Sequence, residues 1–245
     1  MSQWLFDLGN TRLKYAALEP EGAGAVEVWA HQDQERPLPE PAQLPQGACA
    51  WISSVADPAL RDALVARLSG RFAQVEVVAS QARCGRLRNG YAEPARLGVD
   101  RFLALLACAQ QARDCLVVGV GTALTVDLLD REGQHHGGLI APSPTSMRQA
   151  IHLRARHLPA EGGQVSLFAD NTLDALQGGA MGAALGLIER SVLQAARQIG
   201  RSPVLLVHGG GAEPLLPYLR DVHHVPGLVL DGLAQWALLH GQGNR

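Results

Sequence analysis

The fold of this chain is decided by the stretch Trp4-Leu5-Phe6-Asp7-Leu8-Gly9-Asn10-Thr11-Arg12-Leu13-Lys14-Tyr15-Ala16-Ala17-Leu18. Two apolar runs flank Gly9-Asn10, a pair that readily adopts the positive φ values of a hairpin turn, so the stretch predicts a β-hairpin. The turn's N–H groups and the Thr11 hydroxyl can hold a phosphate, Asp7 can hold a metal ion or its water, and Lys14 can neutralise charge. The same residue types are also ordinary in turns, so the stretch alone leaves both interpretations open.

A second stretch repeats this plan about half a chain later. It reads Leu116-Val117-Val118-Gly119-Val120-Gly121-Thr122-Ala123-Leu124-Thr125-Val126-Asp127-Leu128-Leu129, an apolar strand, a Gly-Thr turn and a second strand. Two such hairpins predict two similar domains that bind a nucleotide. The order of strands and helices around them predicts an α/β fold in which each domain is a mixed sheet with packed helices.

Length and composition agree with two compact domains. The chain has 245 residues, of which 47% are hydrophobic and 18% charged, and this predicts a globular protein throughout. A net charge of −2 argues against a nucleic-acid partner, and the absence of a long uncharged apolar run argues against a membrane span. Four scattered cysteines without a Cys-x-x-Cys pair favour reduced thiols and a cytoplasmic location.

The predicted domain boundary lies near residue 114. Domain 1–114 contains the first hairpin, a glycine- and arginine-rich loop over 79–98 and a helix that begins at Asp100. Domain 115–245 contains the second hairpin and a long helix from Thr172, in which Gly178, Gly182 and Gly186 recur at every fourth position. Glycines at this spacing predict close packing between domains or subunits. Gly209-Gly210-Gly211 is either a sharp turn or a surface on which an adenine ring or ribose lies.

A third motif, Gly98-Val99-Asp100-Arg101, stands where the loop meets the helix. An aspartate at a helix start is often only a capping residue. Here it follows a long loop and lies in the sequence between the two hairpins, so a functional role stays open beside the capping one.

Together the three motifs resemble those of the type III pantothenate kinases, which belong to the acetate and sugar kinase/Hsc70/actin superfamily. Asp7 to Lys14 match the family's first phosphate motif, Gly98-Val99-Asp100-Arg101 its Gly-x-Asp-Arg motif, and Gly121-Thr122-Ala123-Leu124-Thr125 its second phosphate motif. They occur in the family's order and spacing, and the resemblance covers nearly the whole chain. It implies two RNase H-like domains of the actin and acetate kinase type.

The resemblance also implies a reaction, the transfer of the ATP γ-phosphate to pantothenate as the first step of coenzyme A biosynthesis. Asp100 would be the general base, and Mg²⁺ would be held at Asp7 through water. The implied ATP-binding residues are Asp7, Leu8, Gly9, Asn10, Thr11, Arg12, Leu13, Lys14 and Thr122. The implied pantothenate-binding residues are Tyr91, Gly98, Val99, Asp100, Arg101 and Thr172. Family members are homodimers with a shared active site, so Thr172 is expected to reach the partner's Asp100 region.

One residue departs from the family pattern. Gly119 stands where the family usually carries an aspartate that helps to bind a monovalent cation, K⁺ or NH₄⁺. Loss of a hard oxygen ligand predicts weak or absent activation by these ions. Two alternative functions stay open, namely a superfamily kinase with another small acceptor and a non-catalytic ATP-binding regulatory or accessory protein. Asp7, Lys14, Asp100 and Thr122 are all retained, which argues against the second.

Overall fold

The computed structural model describes residues 2–30 and 38–241. The strands are β1 (Gln3–Leu8), β2 (Arg12–Glu19), β3 (Gly22–Ala23), β4 (Glu27–Ala30), β5 (Gly47–Ser54), β6 (Phe72–Val77), β7 (Arg83–Cys84), β8 (Leu87–Arg88), β9 (Cys115–Val120), β10 (Ala123–Leu129), β11 (His135–Pro142), β12 (Val204–His208) and β13 (Val222–His224). The helices are α1 (Pro58–Ser69), α2 (Val99–Ala109), α3 (Pro144–Arg154), α4 (Thr172–Ile199) and α5 (Leu228–His240). Among the described residues, no helix is both long enough and apolar enough to cross a membrane.

The chain forms two compact units. The first consists of the residues before Ala112 together with those from Gly227 onward, and the second is Ala112–Pro226. The break after Gln111 lies close to the predicted boundary near residue 114. Helix α5 groups with the first unit, whereas the predicted domain 115–245 included it.

The packing of α5 on α2 explains this grouping. A Cβ atom at Gly232 would lie 1.9 Å from the carbonyl oxygen of Leu103, so the two helices meet at backbone contact. Beside this crossing, the rings of Phe102 and Trp236 pack edge to face with their centroids 6.0 Å apart. Each residue of α2 except Asp100 is buried.

The sheet of the first unit is centred on β1. Strand β1 pairs antiparallel with β2 and parallel with β5, β6 continues parallel to β5, and β4 adds antiparallel to β2. Helix α1 is capped by Asp57, whose carboxylate accepts a hydrogen bond from the Ala59 N–H (2.8 Å). Its Leu64 and Leu68 are fully buried in a core that includes Phe6 and Ile52.

The sheet of the second unit has the same plan. Strand β9 pairs antiparallel with β10 and parallel with β12, β13 continues parallel to β12, and β11 adds antiparallel to β10. Both sheets therefore have two antiparallel connections on one side of the central strand and two parallel connections on the other. This confirms the predicted α/β fold of two similar domains with packed helices.

The glycine-spaced face of α4 has two kinds of surroundings. A Cβ atom at Gly178 would lie 1.9 Å from the carbonyl oxygen of Ser166, so this glycine allows the preceding loop to approach the helix backbone. Gly182 and Gly186 are exposed, and a Cβ atom at either would meet no described atom within 4 Å. Close packing inside the second unit therefore explains Gly178 alone.

Candidate active site

The first hairpin is formed as predicted, by β1, β2 and a turn at residues 9–11. The N–H of Gly9 donates to the carbonyl oxygen of Arg12 (3.0 Å), which closes the turn. Leu8 and Leu13 face each other across the strands and are fully buried, so they anchor the hairpin in the core. Asn10, Thr11 and Arg12 are exposed at the tip. Only the backbone of the two leucines is placed to contact a ligand, whereas the tip residues present both backbone and side chains.

Asp7 and Lys14 are direct partners across this hairpin, so their side chains project from the same face. Asp7 is half-buried, and the loss of hydration raises its pKa to about 6. The positive charge of Lys14 lowers the pKa of Asp7, and the negative charge of the Asp100 carboxylate raises it. The structure thus brings Asp7, Lys14 and Asp100 into one electrostatic cluster.

Ser53 belongs to this cluster and was not among the predicted residues. It lies beside Asp7 on the parallel strand β5 and is fully buried. Its hydroxyl is close enough to lower the pKa of Asp7, although it makes no hydrogen bond of standard geometry. The register that pairs position 53 of β5 with position 7 of β1 is set by tertiary structure.

Asp100 lies in the first turn of α2, where the helix dipole favours a negative charge. Its Oδ1 accepts a hydrogen bond from the N–H of Arg101 (2.8 Å). Gly98 is the residue before the helix, and a Cβ atom there would lie 2.7 Å from the same Oδ1. The absence of a side chain at Gly98 is therefore what leaves room for the carboxylate in this position.

Tyr91 and Arg101 are joined beside Asp100. The Arg101 guanidinium is buried and donates to the Tyr91 hydroxyl (2.9 Å), and its central carbon lies 5.6 Å from the centre of the Tyr91 ring. Val99, between Gly98 and Asp100, is buried and contributes packing and backbone at this position.

The loop that carries Tyr91 is held by Asn89, which the sequence did not indicate as important. The Asn89 side-chain amide donates to the carbonyl oxygens of Gln81 (3.2 Å) and Pro94 (3.0 Å), and its oxygen accepts from the Tyr91 N–H (3.0 Å). An asparagine next to a glycine is a common turn residue, so no sequence signal separated Asn89 from other loop residues.

The second hairpin is also formed as predicted, by β9, β10 and a turn at Gly121-Thr122. The Gly121 N–H donates to the carbonyl oxygen of Ala123 (2.9 Å), and Thr122 is exposed at the tip. The carbonyl oxygen of Thr122 accepts a hydrogen bond from the Ser146 hydroxyl (2.6 Å), which ties the turn to the first turn of α3. The side chain of Thr122 stays accessible in this arrangement.

The glycines after β12 pack against this hairpin. Gly209 has a φ of +97°, and a Cβ atom there would lie 2.3 Å from the carbonyl oxygen of Val120. The Gly211 N–H donates to that oxygen (3.0 Å). A sharp turn that requires glycine is therefore present. The turn explains Gly209 and Gly211, and no bound ligand is needed to account for them.

Thr172 lies at the first residue of α4 and is exposed. The helix is capped by Asn171, whose Oδ1 accepts from the N–H of Asp174 (3.0 Å). Just before it in the chain, Leu167 and Phe168 are 90% and 96% exposed, the most exposed large apolar side chains of the described residues. Thr172 is thus carried by a fixed helix end beside an unusually exposed apolar pair.

Comparisons with solved structures agree with this architecture. A Campylobacter jejuni protein described as a member of the Baf family of transcriptional activators superposes with a TM-score of 0.64 at 18% identity, covering 98% of this chain and 99% of that one. An archaeal actin homologue superposes with a TM-score of 0.52 at 10% identity, covering 97% and 99% of the two chains. These likenesses establish the fold alone.

Sequence comparisons go further. The sequence model of the type III pantothenate kinases matches residues 4–194. A protein of Stenotrophomonas maltophilia K279a that carries this name is 55% identical over 238 residues, which are 97% of this chain and 98% of the relative. A protein of the same name from Xanthomonas euvesicatoria is 54% identical over 237 residues, again 97% and 98% of the two chains. The chain therefore belongs to the type III pantothenate kinase family.

Proposed function

We propose that this protein transfers the γ-phosphate of ATP to the primary hydroxyl of pantothenate, giving 4'-phosphopantothenate for coenzyme A biosynthesis. The observation that carries the proposal is the cluster of Asp7, Lys14 and Asp100, which places two carboxylates and a cation together at the end of the first hairpin. More than half of the residues are identical to relatives that bear the name of this activity. Family membership makes a kinase of this class the expected enzyme.

Asp100 would act as the general base. Its carboxylate takes the proton of the substrate hydroxyl while the hydroxyl oxygen forms a bond to the γ-phosphorus and the bond to the departing ADP breaks. The N–H of Arg101 and the space at Gly98 hold this carboxylate in one position at the start of α2. Phosphoryl transfer depends mainly on positioning and charge neutralisation, and a fixed carboxylate meets the first requirement.

The first hairpin would hold the phosphate chain of ATP through the backbone and tip side chains of residues 8–13, with Lys14 as its cation. Thr122 would contribute its hydroxyl from the second hairpin. Asp7 would hold Mg²⁺ through water, since a partly buried carboxylate next to a second carboxylate is an oxygen donor set that suits this ion. Bound there, Mg²⁺ would neutralise phosphate charge. Among the described residues, no three or more His, Cys, Asp or Glu side chains form a cluster that could hold a metal ion.

Arg101 would recognise the pantothenate carboxylate, with Tyr91, Gly98 and Val99 completing the pocket. The hydrogen bond from Arg101 to Tyr91 positions the guanidinium, and burial strengthens its attraction for an anion. A guanidinium carries five N–H donors in a planar array, so one residue can serve both the tyrosine and a carboxylate.

Thr172 would enter the pantothenate site of a second copy of the chain in a homodimer. The support is the exposure of Leu167 and Phe168 just before it, because large apolar side chains are rarely left this exposed in a stable assembly. The sequence carries four scattered cysteines without a Cys-x-x-Cys pair, which fits a reducing compartment, and on that ground the proposed location is the cytoplasm.

The test is ATP-dependent phosphorylation of pantothenate by the native chain and by Asp100→Asn, in matched sodium and potassium buffers. We expect product from the native chain and a rate lower by about 10²-fold or more in the variant, with nucleotide binding retained. Asp62→Asn, at an exposed position on α1, is the matched control and should keep the native rate. Bound ATP without product on pantothenate would overturn the proposal. Turnover of another alcohol would then indicate a different acceptor, and no turnover on any acceptor would indicate an accessory protein.

A further inference from the structure

The two hairpins place corresponding residues in corresponding registers. In the first unit, Asp7 lies between Lys14 on the antiparallel neighbour and Ser53 on the parallel neighbour. In the second unit, Gly119 lies between Thr125 on the antiparallel neighbour and His208 on the parallel neighbour. Asp7 and Gly119 each stand two residues before the glycine of their turn. Gly119 is therefore the counterpart of Asp7, and His208 is the counterpart of Ser53.

The imidazole of His208 occupies the space that a side chain at position 119 would need. A Cβ atom at Gly119 would lie 3.0 Å from Nε2 and 3.2 Å from Cε1 of His208, and 2.7 Å from Oγ1 of Thr125. Where the first hairpin presents a carboxylate, the second therefore presents an imidazole next to a hydroxyl. The exchange replaces a hydrogen-bond acceptor with groups that can donate.

The backbone that carries His208 is fixed to the same hairpin. His208 is the last residue of β12, and Gly209 directly after it packs on the carbonyl oxygen of Val120. His208 itself is half-buried, so its ring is held at the strand end and still partly reaches the surface. A ring in this position combines a fixed location with access to a ligand at the turn.

We infer that His208 is a phosphate-binding residue, whose imidazole N–H donates a hydrogen bond to the phosphate chain of the nucleotide at the second hairpin. The inference rests on the proposed function, in which Thr122 on the same hairpin contacts ATP. Gly119 favours this arrangement, because a Cβ atom there would require both the Thr125 hydroxyl and the His208 ring to shift.

The experiment compares binding of a non-hydrolysable ATP analogue with binding of adenosine, by titration calorimetry, in the native chain and in His208→Ala and His208→Gln. We expect His208→Ala to weaken binding of the analogue about tenfold and to leave adenosine binding within twofold of native, since only the analogue has phosphates. His208→Gln keeps an N–H donor and should recover part of the loss. His224→Gln, a half-buried histidine on β13, is the control and should bind both ligands as the native chain does.

Gly119→Ala provides a second route to the same conclusion. Its Cβ atom would push the imidazole away and should weaken binding of the analogue in the native background, but by a smaller factor when combined with His208→Ala. Equal losses for the analogue and adenosine, or analogue binding within twofold of native in His208→Ala, would overturn the inference. These are binding measurements, so a native chain that binds the analogue but fails to phosphorylate pantothenate would refute the proposed reaction and leave the His208 result to be decided separately.

Discussion

Gly98 provides the space in which the carboxylate of Asp100 lies, since a Cβ atom at position 98 would come within 2.7 Å of Oδ1. The glycine precedes α2 with a φ of −53° and a ψ of 134°, values that any residue can adopt. A glycine is therefore needed at position 98 only to leave room for the Asp100 carboxylate. A substitution there tests this need without straining the backbone.

Gly98→Ala should move the Asp100 carboxylate and lower kcat for pantothenate phosphorylation by about 10- to 100-fold, because a small misplacement of a catalytic group is costly. The melting temperature should stay close to native. Gly70→Ala is the matched control, because a Cβ atom there meets no described atom within 4 Å. A native kcat in Gly98→Ala would show that the carboxylate position is not required.

Tyr91→Phe should raise KM for pantothenate about tenfold and leave KM for ATP within twofold. The change removes the hydroxyl that holds the buried Arg101 guanidinium, and a hydrogen bond to a charged group is worth about 1.5–3 kcal/mol. Steady-state kinetics with each substrate varied in turn separate the two constants. Tyr218→Phe, at a half-exposed position, should change neither constant. A shift confined to KM for ATP would contradict the role assigned to Arg101.

Asp7→Asn should abolish most activity and raise the free energy of unfolding by about 3 kcal/mol at pH 7.5. The pKa of Asp7 is about 6 in the folded chain against 3.8 for an ordinary aspartate carboxyl, so the folded state favours the protonated form. The free energy of unfolding of the native chain therefore falls as pH rises from 3.8 through 6. The Asp7→Asn variant has no carboxylate to ionise at this position, so it does not lose this stability. The gain should be largest above pH 6 and should shrink towards pH 4, with Asp62→Asn as the unaffected control. Denaturant unfolding across this pH range measures it, and a destabilised Asp7→Asn at pH 7.5 would refute it.

The native enzyme should also lose activity on acidification below pH 6, since protonated Asp7 is a poor ligand for hydrated Mg²⁺. The quantity to measure is kcat/KM for ATP, which reports ionisations of the free enzyme and free substrate. Its profile should fall with an apparent pKa near 6, after correction for the ionisation of ATP itself. A flat profile down to pH 5 would mean that Asp7 need not be charged.

Reaction rates should be equal in sodium and potassium buffers of the same ionic strength. Position 119 offers no carboxylate to a monovalent cation, and the His208 ring and the Thr125 hydroxyl fill the space beside it. Initial rates with chloride salts of Na⁺, K⁺ and NH₄⁺ measure this directly. A strong requirement for K⁺ or NH₄⁺ would mean that other oxygen ligands form the cation site.

Phe168→Glu should shift the protein from dimer to monomer and lower the rate of pantothenate phosphorylation at least tenfold. A charge in place of a 96% exposed phenylalanine would disfavour burial against a second copy, and Thr172 would lose its place in the partner's site. Sedimentation velocity and activity should be measured on the same samples. Leu239→Glu, at an exposed position on α5, is the control. Full activity of a monomeric preparation would contradict the shared site.

The local features of the fold were readable from the sequence because short-range chemistry determines them. Gly9-Asn10 between apolar runs predicted the first hairpin and Gly121-Thr122 the second, and both are confirmed. Asp57, which caps α1, is likewise a residue type that favours a helix start. Each depends on a turn or capping preference within a few residues of sequence.

Contacts between residues that lie far apart in the chain could not be predicted from the sequence. The placement of α5 on α2 joins residues more than a hundred positions apart, and no local preference specifies that Gly232 meets the backbone of Leu103. Asn89 and Ser53 were missed for the same reason, because their roles come from the residues that they meet.

By itself the sequence determined the two hairpins, the family and the candidate residues Asp7, Lys14 and Asp100, because turn geometry and motif order are written along the chain. Only the tertiary structure decided that Ser53 lies beside Asp7 and that the His208 ring fills the space at Gly119. Parallel strands are paired through long connections, so their register follows from the packing of the whole unit and not from the residues between them.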